Sequence, residues 1–524
     1  MTSSNLAKWA GIVACLCLLL ALPAVRSGHV LNTDVAWFLV ASERMLEGGS
    51  PLADFFEINM PLATALYLPV HLISGALHVS PADGVLFWTA LLIAHSVMLT
   101  ARVSVRGGAS TSRVWVAVWS CTWTTLVLAF LPGYDFAERE HLSVLLVLPF
   151  VWMLAVRPAA LHPWLRIYIT LVAAVGFYAK PHYSLLPFLL LWFWRPASNH
   201  SASNRALRHP EWAALIAVGA ANAAFVLVLY PEWFEVAVWA NDLYGRFRDV
   251  DPFRFVRTGS FALAIGSTLT IASLALMLPA ARRAASVVLF CTVYAWMAYW
   301  LQGKGWRYQL LPALLFPSAL LPWVFTFASD PVTSRSARAI SAAVVAVASV
   351  LLLAHAEQLR QQAPRVADLS AAPIGEALSI TRPGDKVSAL SITGDPFLAA
   401  VIHYELRWES RFSALWPIIA LAQSESSVQP SDGMTHELVA RYGERFCSMV
   451  AEDLRLRAPD IVLVDLRGTR SQGLPARFDL VAFLSHSARF RAEWSHYTRI
   501  GESGSFRIFA RVQEEPDSGL GDGP

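Results

Sequence analysis

Charge is what this chain has least of. Lys, Arg, Asp and Glu together make 15% of its 524 residues, against about 25% in an ordinary soluble protein, so there is too little polar side chain to cover a body of this size with a watered surface. Cysteine is scarce as well. Cys15, Cys17, Cys121 and Cys291 fall in apolar segments and Cys447 stands alone in the tail, which leaves neither a disulfide framework nor metal-ligand spacing; Cys447 reads as a buried, inert thiol. No run of Lys and Arg resembles a nucleic-acid grip, so no nucleic-acid partner is expected. The formal net charge of +3 decides nothing, because in a membrane protein the placement of the cations carries the information. No internal repeat is present.

What the chain has in quantity is apolar residue, 56% of the total, gathered into runs long enough to cross a bilayer. They lie near residues 8–25, 84–101, 113–131, 140–156, 166–180, 183–194, 211–230, 257–279, 284–301, 308–327 and 338–355, about eleven spans by the length rule. The first, between Lys8 and Arg26, reads as an uncleaved helix rather than a signal peptide, and either reading puts residue 34 outside the cytoplasm. A further run, 61–77, is long enough to cross, but crossing there would invert every loop after it. Held on one side, it leaves the basic loops around Arg102, Arg106 and Arg113; Arg157 and Arg166; Arg195, Arg205 and Arg208; Arg282 and Arg283; and Arg335 and Arg338 all cytoplasmic, as the positive-inside rule prefers. The run 61–77 is therefore expected to be a juxtamembrane or re-entrant helix. The loops at 26–60, 132–139, 231–256 and 302–307 are expected on the other side.

The composition changes after residue 356. Charge rises, and strand-like runs KVSAL, DIVLVDL and SFRIFARV alternate with helical stretches near 394–405 and 434–455, the pattern of a small α/β domain. The expected architecture is a mainly α, polytopic helix bundle over 1–356 with juxtamembrane helices. An exoplasmic α/β domain follows over 357–512, then a disordered tail over 513–524.

This topology sends four polar clusters to one face: Asp34 with the turn holding Asp54, Glu57 and Asn59; GYDFAEREHL with Asp135, Glu138, Arg139, Glu140 and His141; AKPHY with Lys180 and His182; and QGKGWRYQ with Gln302, Lys304, Trp306, Arg307 and Tyr308. Each has a plain alternative. Asp34 could be only a helix N-cap beside Asn32 and Thr33. Asp135 and Glu138 match a D-x-x-E capping box, with Arg139 four residues after Asp135 where a helical ion pair forms. Lys180, Lys304 and Arg307 could be interfacial cations with their stems in the bilayer. Against these stand Glu140 and His141, which lie further into an apolar run, where ionisable groups are expensive and face a cavity or partner. Cations on the non-cytoplasmic side, next to Gly and aromatic residues at helix breaks, point to a bound anion, for which phosphate is the natural candidate. His141 and His182 read as hydrogen-bonding helpers rather than metal ligands. A lipid-tailed substrate with a phosphate head fits such a face, and a carboxylate there could be a general base.

These features resemble the GT-C superfamily of membrane glycosyltransferases, which use polyprenyl-phosphate-linked sugars. The likeness is organisational and covers roughly residues 1–360: Asp34 in the first exoplasmic loop, the excursion GGSPLADFFEINMP entering the next helix at Pro61, and the second acidic motif GYDFAERE. It is nearest the bacterial branch that includes lipid A aminoarabinose transferase and protein mannosyltransferase. Two departures stand out: Met60–Pro61 replaces the paired prolines common there, and REHL after the second motif has no counterpart in a characterised activity. The resemblance implies a lipid-linked sugar donor, an exoplasmic glycan, lipid or protein acceptor, inversion at the anomeric carbon, and residence in a bacterial inner membrane with the N-terminus cytoplasmic. It makes Asp34 the catalytic base, with Asp135 and Glu138 positioning the acceptor or assisting. Glu57, Asn59, Arg139, Glu140, His141, Lys180, His182, Lys304 and Arg307 are substrate-binding candidates, with Lys180, Lys304 and Arg307 expected at the departing phosphate. Asp34, Glu138 and Glu140 could instead hold a divalent cation; the sequence does not require one, and no metal site is assigned. Two other classes stay open, a transporter or flippase of lipid-linked glycans and a non-catalytic envelope assembly protein.

Overall fold

The computed structural model describes residues 28–106, 114–157, 161–194, 210–244, 259–329, 333–426, 436–467 and 478–512, with Leu16, residues 20–22, Arg26 and Leu474. Most of the expected first span, the basic-loop residues Arg113, Arg195, Arg205 and Arg208, and the expected tail lie outside the described residues. The chain forms two compact units.

The first unit comprises residues 1–46, 58–234 and 247–364. Among the described residues seven helices are long and apolar enough to cross a membrane: Pro81–Ser104, Arg139–Val156, Pro210–Leu229, Gly259–Met277, Pro279–Gln302, Arg307–Ala328 and Arg335–Gln362. The chain is an integral membrane protein on this count. Shorter apolar helices cover Val118–Phe130 and Pro163–Tyr178. Of the span expected over 183–194, the described helix is Leu186–Phe193, eight residues and so about 12 Å of rise.

Burial separates these helices into two kinds. Arg139–Val156 is 94% enclosed by protein and Arg307–Ala328 89%, whereas Pro210–Leu229 is 17% enclosed, leaving its apolar sides for lipid. The enclosed helices are held by small residues and by polar groups that answer freed backbone carbonyls. A Cβ on Gly176 would come within 2.9 Å of the Ser143 carbonyl oxygen, so helix Pro163–Tyr178 lies directly against Arg139–Val156. Pro322 has no N–H and leaves the carbonyl of Ser318 without its helical donor. Trp123 Nε1 supplies one at 2.8 Å, Thr124 Oγ1 donates to the Ala319 carbonyl at 2.9 Å, and Trp323 Nε1 donates to Thr124 Oγ1 at 2.9 Å. With no water in the bilayer core, such side-chain donors are what make an interior proline tolerable.

The run 61–77 is two short helices, Pro61–Ala65 and Leu68–Leu77. The longer rises about 15 Å, half of a hydrocarbon core. Its aromatic contacts hold it beside helix Thr33–Leu46: Tyr67 stacks on Phe38 with centroids 5.0 Å apart, and its hydroxyl donates to the Ala137 carbonyl at 2.7 Å.

The second unit comprises residues 47–57, 235–246 and 365–524. It carries a five-stranded sheet in the order β2-β1-β3-β5-β4, with β1 Lys386–Leu390, β2 Arg407–Trp408, β3 Ile461–Asp465, β4 Tyr497–Ser503 and β5 Phe506–Arg511. The first three strands are parallel, β5 runs antiparallel to β3, and β4 antiparallel to β5. The runs KVSAL, DIVLVDL and SFRIFARV become β1, β3 and β5, and the helices are Phe397–His403 and His436–Leu456. The two segments from earlier in the chain are bound into this unit by their aromatic and charged residues. Phe56, buried, packs on Phe412, Trp416 and Trp239, Asp54 pairs with Arg457 at 2.9 Å, and Tyr442 donates to Asp242 at 2.6 Å. Residues 47–57 and 235–246 are thus packed into one unit with later parts of the chain. Glu57 is buried in this unit.

Candidate active site

The site is built where the two enclosed helices begin. Their N-terminal ends carry Glu138 to His141 and Arg307 to Gln309, and the helix Thr33–Leu46 and the turn Pro181–Tyr183 close in from the sides. Local sequence explains each piece. Asn32 caps Thr33–Leu46, its side-chain oxygen accepting from the backbone N–H of Asp34 at 2.8 Å; the cap belongs to Asn32, and the Asp34 carboxylate is left for other work. Residues Gly133–Asp135 form a 3₁₀ turn, Ala137 has φ +66°, and Glu138 is the N-cap of the helix beginning at Arg139, its carboxylate accepting from Arg139 N–H at 3.0 Å. Before Pro181, Lys180 is extended with φ −132°, as the proline ring requires.

Two expectations change on this geometry. The helical pair between Asp135 and Arg139 does not form, because Asp135 lies in the 3₁₀ turn and the left-handed residue at 137 ends the turn before the helix starts. For the same reason the capping box does not: Glu138, not Asp135, caps the helix. Asp135 instead takes Arg307 Nε on Oδ2 at 2.6 Å and Asn32 Nδ2 on Oδ1 at 3.2 Å. Arg307 also donates to the Pro132 carbonyl at 2.6 Å. Gly133 sits at φ +58°, and a Cβ there would fall 3.1 Å from Arg307 Nη2, so this position needs glycine on both counts.

Lys180 Nζ is ion-paired with Glu140, both buried. Arg139 lies between Glu138 and Glu140 at 3.7 and 4.0 Å, with its guanidinium 4.8 Å from the Phe38 ring centroid and 5.7 Å from that of Tyr308. Four carboxylates thus meet three cations in a space largely closed to water. Of the four, Asp135, Glu138 and Glu140 are buried residues, and Asp34 is the one that keeps part of its surface.

Burial sets the protonation of this group. It pushes the Asp34 carboxyl up from the ordinary carboxylate range, with the Arg139 guanidinium pulling it back and a hydrogen bond to Glu138 doing the same. Glu138 is pushed well up by burial, and the neighbouring Asp34 charge adds to it. Asp135 is pushed up to about 6 by burial, against the opposing pull of Arg307. Burial takes the His182 imidazole down to about 3, so it is neutral.

The remaining expected residues fall as follows. His141 is buried, its Nδ1 accepting from Ala137 N–H at 3.1 Å, a structural use of the ring. Lys304 is half-buried with Nζ 4.9 Å from the Trp306 ring centroid. The Asn59 carbonyl accepts from Trp233 Nε1 at 2.8 Å. Sequence reading missed Phe38, Tyr67 and Tyr183 as site residues, since an aromatic in an apolar run carries no mark of its neighbours. Among the described residues no group of three or more His, Cys, Asp or Glu is arranged to hold a metal ion. At the far end of Arg139–Val156, about 27 Å away, Arg283 donates to the carbonyls of Leu154 and Trp194 at 3.0 and 3.1 Å. The acidic site and the basic loops therefore stand at opposite ends of one helix.

No family model matches the chain, and no curated protein matches it in sequence. Several solved structures are similar to it, two of them along nearly its whole length. ArnT from Cupriavidus metallidurans in the apo state is 12% identical with a TM-score of 0.45, the match covering 95% of this chain and 97% of that one. Arabinofuranosyltransferase AftD from Mycobacteria is 15% identical with a TM-score of 0.44, covering 97% of this chain and 42% of that one, so this chain spans less than half of AftD.

Proposed function

We propose that the chain is an integral membrane glycosyltransferase that moves a sugar from a polyprenyl phosphate or diphosphate carrier to an exoplasmic acceptor, inverting the anomeric carbon, with Asp34 as general base. The observation that carries this reading is the position of Asp34, a partly exposed residue where the residues of the three other carboxylates are buried. Asp135 is tied to Arg307, Glu140 to Lys180 and Glu138 to the start of its helix, so Asp34 is the carboxylate able to meet an incoming hydroxyl. Its raised proton affinity suits it to take a proton near neutral pH.

In this mechanism Asp34 accepts the proton as the acceptor oxygen attacks the anomeric carbon. The bond to the carrier phosphate breaks on the opposite face. Lys304 and Arg307 meet the negative charge that develops on the leaving phosphate; Lys180, bound to Glu140, contributes field rather than a direct contact. A transporter of lipid-linked glycans would place its ionisable groups near mid-membrane on broken helices, whereas here they collect at one end of the two enclosed helices. The site faces the exoplasm, since the basic loops lie at the other end.

The test is incubation of the purified protein with a panel of polyprenyl-phosphate-linked pentoses and hexoses. Release of free carrier from at least one donor supports the reading. Intact lipids throughout, with the same lipids moved across vesicle membranes, would replace it with the transporter.

A further inference from the structure

We propose that Arg139, Glu140, His182 and Tyr183, beside the ring of Tyr308, form the subsite that grips the hydroxyls of the donor sugar ring. The inference rests on the transferase reading above and names what its site holds next to the phosphate. Five polar atoms in this neighbourhood are buried and have no hydrogen-bond partner: Arg139 Nε and Nη1, Glu140 Oε2, His182 Nε2 and Tyr183 Oη. A buried polar group without a partner is destabilising, and folded proteins leave few of them. Five together mark a place where partners arrive with a ligand.

They are neighbours in space as well as in kind. Arg139 Nε lies 4.0 Å from Glu140 Oε2, the charge of Glu140 acts on Tyr183, and those of Lys180 and Arg139 act on His182. The turn Pro181–Tyr183 that presents two of them is fixed: Tyr294 donates its hydroxyl to the His182 carbonyl at 2.6 Å, and the His182 and Tyr183 rings pack with centroids 4.6 Å apart, tilted by 51°.

The mixture of atoms selects the ligand. Arg139 offers only donors, Glu140 only acceptors, and the Tyr183 hydroxyl and neutral imidazole serve either way. A phosphate would satisfy the donors and be repelled by Glu140, Glu138 and Asp34. A ring of hydroxyls, each both donor and acceptor, satisfies all of them without adding charge, and its C–H face packs on the Tyr308 ring, which already lies 5.5 Å from Lys180 Nζ.

The test is equilibrium binding to the purified full chain of short isoprenyl phosphate without sugar and of the same lipid carrying a pentose or a hexose. Tyr183→Phe should weaken the best sugar-bearing lipid about 3- to 10-fold, the effect of one hydrogen bond, and leave the bare phosphate unchanged. The same variant should not lower the melting temperature, because its hydroxyl has no partner in the free protein; His182→Asn should repeat the selective loss. Equal loss on both lipids, no loss on either, or no sugar-bearing lipid binding tighter than the bare phosphate would overturn the proposal. Its failure is separable from that of the base: Asp34→Asn acts on transfer, whereas Tyr183→Phe acts on the difference between two binding constants.

Discussion

Arg307 donates from Nε to Oδ2 of Asp135 at 2.6 Å, joining two loops 172 positions apart and fixing the entrance of both enclosed helices. The Arg307 side chain keeps 27% of its surface and that of Asp135 7%. Breaking a buried pair destabilises by about 3–5 kcal/mol, so with Arg307 partly solvated Arg307→Ala should fall at or below the low end, about 3 kcal/mol. Arg307→Lys should not restore the loss, because one ammonium cannot serve both Asp135 and the Pro132 carbonyl in the geometry of a guanidinium. Thermal unfolding of the detergent-solubilised variants measures this.

The pH dependence of transfer follows from the carboxyl pair. Asp34 must be ionised to act as base, and its proton affinity is raised, so activity is present at higher pH and lost as pH falls through a value above the ordinary carboxylate range of about 4. Arg139 pulls that value down. Arg139→Gln should therefore move the acid limb of the profile to higher pH, and Arg139→Lys should bring it back. An acid limb that stays in place in Arg139→Gln contradicts the assignment of Asp34.

Pro322 and Trp123 form a compensating pair in the membrane-embedded core. Trp123→Phe removes the donor to the Ser318 carbonyl, at a loss of about 1–3 kcal/mol for an unsatisfied buried group. Pro322→Ala returns an N–H to the same carbonyl. In that background Trp123→Phe should lose clearly less, which a double-mutant cycle on thermal stability measures.

Much of this was legible in the sequence, and the rest failed for identifiable reasons. The strand Ile461–Asp465 stands out because a strand buried on both faces is a nearly continuous apolar run, Lys386–Leu390 is a short β-favouring run bounded by turn residues, and the helix starts near Arg139 and Pro210 stand out because polar residues give way there to long apolar ones. The convergence of Asp34, Asp135, Lys180 and Arg307 followed from loop parity alone. The pairing within it did not. Arg139 was expected on Asp135 by helical spacing, but a left-handed Ala137, which no residue preference announces, removed the helix on which that spacing depends. Recruitment of Phe56 and Trp239 into the second unit was equally hidden, since it is fixed by partners hundreds of positions away.

Reporter fusions check the orientation. Fusions after residues 106 and 200 should report cytoplasm, and one after residue 420 exoplasm. A cytoplasmic 420 would put the second unit, with residues 47–57, on the side of the basic loops and remove the exoplasmic acceptor.

Asp34→Asn tests the central claim most directly. It leaves the Asn32 cap intact, since that cap uses the backbone N–H of residue 34. With a donor that the native protein accepts, the purified variant should bind the lipid and retain its melting temperature while release of free carrier falls by at least about 100-fold, the scale of a lost general base. Carrier release at the native rate by folded Asp34→Asn would contradict the account.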